Sequence, residues 1–190
     1  MEPITLTTER LRLRPYAPED VDRVFEACQD PDIQRWTVVP SPYSRQDAEF
    51  FVLRLAPEGW SSGREYAFAV EPVQGGPLFA AIGVSARAEG VYEVGFWQAK
   101  ERRGQGFMAE AVGAVAHWAF TGLGCHRLVW RAEVGNAPSR AVAERAGFTV
   151  EGVERAGLVN KGTVRDSWSA SLLPSDLGLP APLPYLPARV

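Results

Sequence analysis

The most constraining stretch of the 190-residue chain is Arg102-Arg103-Gly104-Gln105-Gly106-Phe107-Met108-Ala109. It follows Val91–Gln98, which reads as a strand, and opens a helix expected from about Phe107 to Thr121. Met108, Ala111, Val112, Val115, Trp118 and Ala119 form that helix's apolar stripe, and Gly122-Leu123-Gly124 ends it. Glycines at such a junction leave backbone amides uncovered, and the helix start adds the positive end of its dipole. The result is a receptor for a phosphate or pyrophosphate, beside which Arg102 and Arg103 can supply full positive charge. A plain tight turn with two solvated arginines is the competing explanation.

Three kinds of phosphate site fit unequally. A P-loop needs Gly-Lys-Ser/Thr after its first glycine, and that is absent. Gly104-x-Gly106-x-x-Ala109 formally matches a dinucleotide fingerprint, which wants an acidic residue about 20 positions on, at the end of the next strand. That offset lands on Gly124-Cys125-His126, before the next strand begins. The third is an acyl-coenzyme A site, with the turn on the pyrophosphate and pantetheine along the preceding strand.

The rest of the chain alternates short elements. Leu11–Arg14 is a period-two strand stopped by Pro15. Pro18-Glu19-Asp20 opens a helix with Val21, Val24, Phe25 and Cys28 at i, i+3, i+4 and i+7. Asp30–Tyr43 reads as a loop, and Ser44 caps a helix from Arg45 to about Ala56. Tyr66–Val70, Phe79–Ala86, Arg127–Val134, Phe148–Arg155 and Val164–Leu173 read as strands, the last closing the sheet, and Ala137–Ala146 as a short helix. Residues 1–173 are expected to form one domain. From Pro174 on, 5 of 17 residues are proline, a polyproline-like tail over 174–190.

A net charge of −3 argues against binding nucleic acid by bulk electrostatics. The alanine-rich run Ala109–Phe120 holds Glu110 and His117 and is too short to span a bilayer, so no membrane partner is expected. The start, Met1-Glu2-Pro3, has no secretory signal, and Cys28 and Cys125 lie 97 positions apart in no metal or redox spacing. The expectation is two buried thiols in a cytoplasmic protein, a monomer or homodimer, with no metal site.

A second constellation, Asn136-Ala137-Pro138-Ser139, begins the helix after the next strand. Asn136 is a good N-cap, and a capped helix with Ser139 bonded back to it explains the residues on local grounds. If instead the two helix starts follow neighbouring parallel strands, a ligand would lie outside the strands' carboxyl ends. Asn136 could then bond a pantetheine amide and Ser139 could reach its sulfur.

Taken with Thr8-Glu9-Arg10-Leu11-Arg12-Leu13-Arg14-Pro15, Tyr92-Glu93-Val94-Gly95-Phe96-Trp97, Ala146-Gly147-Phe148-x-x-Glu151-Gly152 and Arg165-Asp166, these motifs resemble the GNAT N-acetyltransferases of the RimJ/RimL type over roughly residues 5–173. The resemblance implies an α+β three-layer fold. Its mixed, mostly antiparallel sheet would hold a central splayed parallel strand pair between flanking helices, with acetyl-CoA in the gap. It implies that backbone of Phe96, Trp97 and Gln98 pairs with pantetheine, and that Arg102, Arg103, Gly104, Gln105, Gly106, Phe107 and Met108 hold the pyrophosphate. Asn136 and Arg140 would flank the cofactor. The family pattern opens with Gln or Arg where this chain has Glu101.

Acetyl transfer needs a base for the amine, a donor for the oxyanion and stabilisation of the thiolate as it leaves. A backbone amide near Phe96–Trp97 is the oxyanion candidate, and Ser139 the donor to sulfur. Glu93 is the candidate base, through water, with an ion-paired surface carboxylate as the alternative; Glu65, Glu154 and Asp166 are its rivals. His117 and His126 are expected to be non-catalytic. Ile33, Trp36 and Val38 are candidates to line the acceptor pocket. The acceptor is expected to be a protein or peptide N-terminus, with a small-molecule amine or an idle acyl-CoA-binding module as alternatives.

Overall fold

The computed structural model describes residues 1–188, so the last two positions of the expected tail lie outside the described residues. Eight strands form one sheet: β1 (Leu6–Thr7), β2 (Leu11–Arg14), β3 (Glu65–Pro72), β4 (Ala80–Ala88), β5 (Val91–Gln98), β6 (Arg127–Glu133), β7 (Thr149–Asn160) and β8 (Thr163–Leu172). Their spatial order is β1-β2-β3-β4-β5-β6-β8-β7. Every pairing is antiparallel except β5 with β6. The last strand therefore lies inside the sheet, with β7 at its edge. A tight turn, Asn160-Lys161-Gly162-Thr163, folds β8 back, with Lys161 at φ 48° and Gly162 at φ 72°. Two successive left-handed residues match the twist of the strands they join.

Side chains alternate across the sheet, and each face meets a different set of helices. Phe68, Ile82, Val94, Leu128, Trp130 and Leu172 pack on one face beneath α5 (Phe107–Gly122) and α6 (Ala137–Arg145). On the opposite face Ala69 and Leu78 meet Val24 of α1 (Val21–Ala27), Ile33 of α2 (Pro31–Trp36) and Ala48 of α3 (Arg45–Phe50). α2 occupies part of the segment expected to be loop. Asp30 caps it by accepting from the Asp32 amide at 2.9 Å and Pro31 sits in its first turn, but six residues are too few for a helical repeat to be visible.

The capped helix at Ser44 runs on past its expected end. A π-helical turn, Phe51–Leu55, joins α3 to α4 (Ala56–Ser62). The wider turn comes just before Pro57, whose ring would meet the carbonyl four residues back in a regular helix. α4 then covers the part of β3 that β2 is too short to pair: the Trp60 indole donates to the Ala67 carbonyl at 2.9 Å.

Cys28 and Cys125 are both free and buried, and burial pushes their thiols up to about 12 and about 11. Pro174 is buried and Leu179 packs against the larger core, so the first residues after β8 are docked. No described helix is long and apolar enough to cross a membrane.

Candidate active site

β5 and β6 pair only from Val91 with Arg127 to Val94 with Trp130. Beyond that point β5 stays with β4 as far as Gln98 opposite Ala80, and β6 stays with β8 as far as Glu133 opposite Ser167. The two strands diverge like a V, and Gly95–Gln98 have no strand partner on the β6 side. That edge can accept an extended ligand as an added strand. Phe96 packs toward the α5 face and Trp97 toward the α1–α3 face, so both offer the gap their backbone.

The glycine turn stands beside the open end. Gly104 and Gly106 have φ of 77° and 78°, a region that favours glycine, and a Cβ on Gly104 would meet nothing within 4 Å. Gly106 is the N-cap of α5, and the first helical hydrogen bond runs from the Glu110 amide to the Gly106 carbonyl. The amides of Phe107, Met108 and Ala109 precede it and form an anion receptor. Met108 is otherwise a core residue. Gln98 and Gln105 spend their side-chain amides on the carbonyls of Arg102 and Glu101.

The charges around this turn differ from expectation. Arg103 is held by Asp30 at 2.6 Å and Asp32 at 3.1 Å and donates to the Gln98 carbonyl, so it struts α2 against the turn. Two arginines not foreseen there take its place. A Cβ on Gly106 would lie 3.7 Å from a guanidinium nitrogen of both Arg10 and Arg145. Arg10 donates to the Gln105 carbonyl and pairs with Glu110; Arg145 forms no ion pair among the described residues. Arg10 lies 95 positions before Gln105 and Arg145 ends a different helix, so spacing gave no signal for either. Arg102 stays near the turn with its guanidinium 5.5 Å from the Phe79 ring centroid. Arg140 pairs with Glu144 along α6 and lies over the Trp168 ring.

At the second helix start, the Asn136 side chain accepts from the Ser139 amide at 3.3 Å, which is the capping role. The Ser139 hydroxyl also accepts from the Trp130 indole at 3.1 Å, and Trp130 is the last β6 residue before the strands part. An accepted indole proton leaves the hydroxyl's own proton free to donate elsewhere.

The α1–α3 face of the sheet is the one expected to face the acceptor. Gly83 and Gly95 are cross-strand partners there, and a Cβ on Gly95 would meet nothing within 4 Å, so a hollow opens beside the vertex. Glu93 borders it but is tied down: its Oε2 accepts from Arg131 at 2.8 and 3.0 Å and from Arg87 at 3.1 Å. Two guanidinium groups on one oxygen hold the carboxylate in place and occupy the lone pairs that a water would need. Glu65 also borders the hollow, with Oε1 3.4 Å from a Cβ built on Gly83, and has no ion pair among the described residues. Solvent reaches it on one side, and desolvation on the other raises its carboxyl pKa against the opposing pull of Arg87. Asp166 accepts from the Ala156 amide and braces the bulge in β7. Glu154 lies 3.8 Å from Arg131.

Ile33, expected in the acceptor pocket, is 3% exposed inside the α1–α3 core and cannot line one. Trp36 is half-buried, with its ring against Gly135 and the Arg35 guanidinium 4.2 Å from its centroid. Val38 projects into solvent. Between α2 and the β7–β8 hairpin lies an open cleft of about 370 Å³, whose charged lining is Arg35, Lys161, Arg165 and Glu133.

The strand pair parts beside an anion-binding helix start, with the Ser139 hydroxyl at the vertex, and the free edge of β5 can receive a long anionic ligand. Comparison with known proteins gives the class. A model of the GNAT acetyltransferase domain matches residues 10–149, most of the chain. The uncharacterised N-acetyltransferase p20 of Bacillus licheniformis is 26% identical over 171 residues, covering 89% of this chain and 96% of that protein. RimL, a ribosomal L7/L12 α-N-protein acetyltransferase in complex with coenzyme A, superposes with a TM-score of 0.77 at 21% identity, over 90% of this chain and 98% of that one. The microcin C7 self-immunity acetyltransferase MccE, in complex with acetyl-CoA and AMP, gives 0.78 at 17% identity, over 87% and 93%. The chain belongs to the GNAT acetyltransferase family.

Proposed function

We propose that this enzyme transfers acetyl from acetyl-CoA to the α-amine of a protein or peptide N-terminus. The observation that carries the choice is the acceptor side: an open cleft with three cationic side chains and one carboxylate. A polyamine or aminoglycoside site would need a closed, acidic pocket, whereas an open groove suits a chain.

Backbone of Phe96, Trp97 and Gln98 receives the pantetheine arm, and Asn136 bonds one of its amides. The amides from Gly104 to Met108 hold the pyrophosphate, with Arg10, Arg102 and Arg145 as counter-charges. The amine nitrogen attacks the thioester carbon, the C–N bond forms and the C–S bond breaks. A backbone amide near Phe96–Trp97 stabilises the oxyanion, and the Ser139 hydroxyl donates a hydrogen bond to the departing thiolate, which takes its proton from solvent. Glu65 takes the amine's proton through a water, in preference to the ion-paired Glu93. No cysteine is used, and the two free thiols suit a reducing cytoplasm.

The test is a thiol-release screen with acetyl-CoA across N-terminal peptides, polyamines and aminoglycosides. Turnover confined to peptides supports the reading. Rapid turnover of a small amine alone replaces it, and no turnover of any amine reduces the site to cofactor binding.

A further inference from the structure

The chain carries a net charge of −3, yet the cleft between α2 and the β7–β8 hairpin has the opposite sign. Glu133 is its one carboxylate, and it is shared. Arg35 grips it with two nitrogens at 2.7 and 2.8 Å, and Arg165 approaches to 3.7 Å. Lys161 meets only neutral oxygens, donating to the Thr37 carbonyl at 2.8 Å and Asn160 Oδ1 at 3.4 Å. Desolvation and the nearby Arg35 cation both lower its proton affinity, as expected where positive charge is uncompensated. The nearest acids on α2, Asp30 and Asp32, are taken by Arg103.

The cleft sits where an acceptor chain would leave the reaction centre. Glu133 is three residues beyond Trp130, the last position paired with β5, which is about 10 Å along the strand. An extended peptide with its amine at the vertex covers that distance in about three residues. Resting on the N-terminal reading above, we infer that this cleft selects acceptors with acidic side chains at about the third and fourth positions, held by Lys161 and Arg165.

Three peptides sharing their first two residues, with Asp, Gln or Lys at positions three and four, test the inference. The Asp peptide should exceed the Gln peptide in kcat/KM by about tenfold, through KM, with the Lys peptide lowest. Added salt should shrink the difference. The double variant Lys161→Asn, Arg165→Gln should bring the Asp-to-Gln ratio to within about twofold. Asparagine accepts the left-handed conformation at position 161, and Asn-Gly is a favoured pair in such a turn. Because the ratio is read within one variant, a loss that slows every peptide equally leaves it unmoved. Equal rates for the Asp and Gln peptides, or an unchanged ratio in the variant, overturn the inference while leaving N-terminal acetylation standing. No peptide turnover alongside turnover of a small amine removes both. Calorimetry with coenzyme A alone separates the two sources of anion: weaker binding by the double variant would assign the cleft to the cofactor's phosphates and overturn the inference.

Discussion

Replacing Gly106 separates the backbone requirement of the helix start from its electrostatics. At φ 78°, any side chain costs about 1 kcal/mol, and for a chain of this size that lowers Tm by about 2–4 °C. Steric conflict adds little, because the nearest atoms to a new Cβ are guanidinium nitrogens of Arg10 and Arg145 at 3.7 Å. Gly106→Asn carries this conformational cost alone. Gly106→Asp has nearly the same shape, and its carboxylate can pair with both arginines, so the free protein should be no less stable than the Asn variant. Cofactor binding should change in the opposite sense. A carboxylate about 4 Å from a phosphate oxygen repels it by about 1 kcal/mol in water and about 4 kcal/mol near a protein surface. It also neutralises the counter-charges. Isothermal calorimetry with coenzyme A should find the Asp variant at least about tenfold weaker than the Asn variant, about 1.4 kcal/mol. Equal affinities with equal melting temperatures would mean that the pyrophosphate does not sit at this helix start.

Ser139→Ala should lower kcat by about tenfold to a thousandfold with little change in coenzyme A affinity. It also strands the Trp130 indole, so Tm should fall by the equivalent of about 1–2 kcal/mol; a fall in Tm without a rate effect would leave the Ser139 hydroxyl with its structural bond to Trp130 only. Glu65→Gln should reduce kcat about a hundredfold and flatten the acid limb of the pH profile, since burial raises the pKa that must be crossed to free the base. Glu93→Gln should instead cost stability by releasing Arg131, and a flattened pH profile in that variant with a normal one in Glu65→Gln would move the base back to Glu93. Arg103→Ala should loosen α2 from the turn, seen as faster hydrogen exchange over residues 31–36, while coenzyme A binding falls less than in Arg145→Ala.

What could be read from the sequence was what local chemistry dictates. Apolar runs bounded by turn residues located the six longer strands, and Gly104 and Gly106 marked a helix start that needs left-handed residues. Asn136 and Ser139 were legible as a cap, although the Trp130 bond that orients the hydroxyl comes from tertiary packing. What escaped was set by partners distant in sequence. Ile33 reads as a pocket residue when Asp30–Tyr43 is taken as loop; because Asp30 caps α2, Ile33 points into the core. Arg103 looked available until Asp30 and Asp32 came to it across 73 and 71 positions, and Glu93 until Arg131 did so across 38. The two-residue turn that joins β7 to β8 begins with a lysine, a poor marker of φ > 0, and the inside place of β8 comes from its pairing with β6, which lies more than thirty positions away.

The central claim, acetyl transfer to an N-terminal α-amine, is tested most directly by one peptide that carries a free α-amine and an internal lysine, acetylated by this enzyme and mapped by mass spectrometry. The α-amine starts near pKa 7.7–8 and the lysine near 10.4, so at pH 7.5 the neutral fraction of the α-amine is roughly two to three hundredfold larger. An enzyme whose base acts only through water should follow that difference. The expected result is acetyl on the first residue, with the rate rising toward about pH 8–9 as the amine loses its proton. Acetyl mainly on lysine, or an unmodified peptide beside rapid turnover of a small amine, would contradict it.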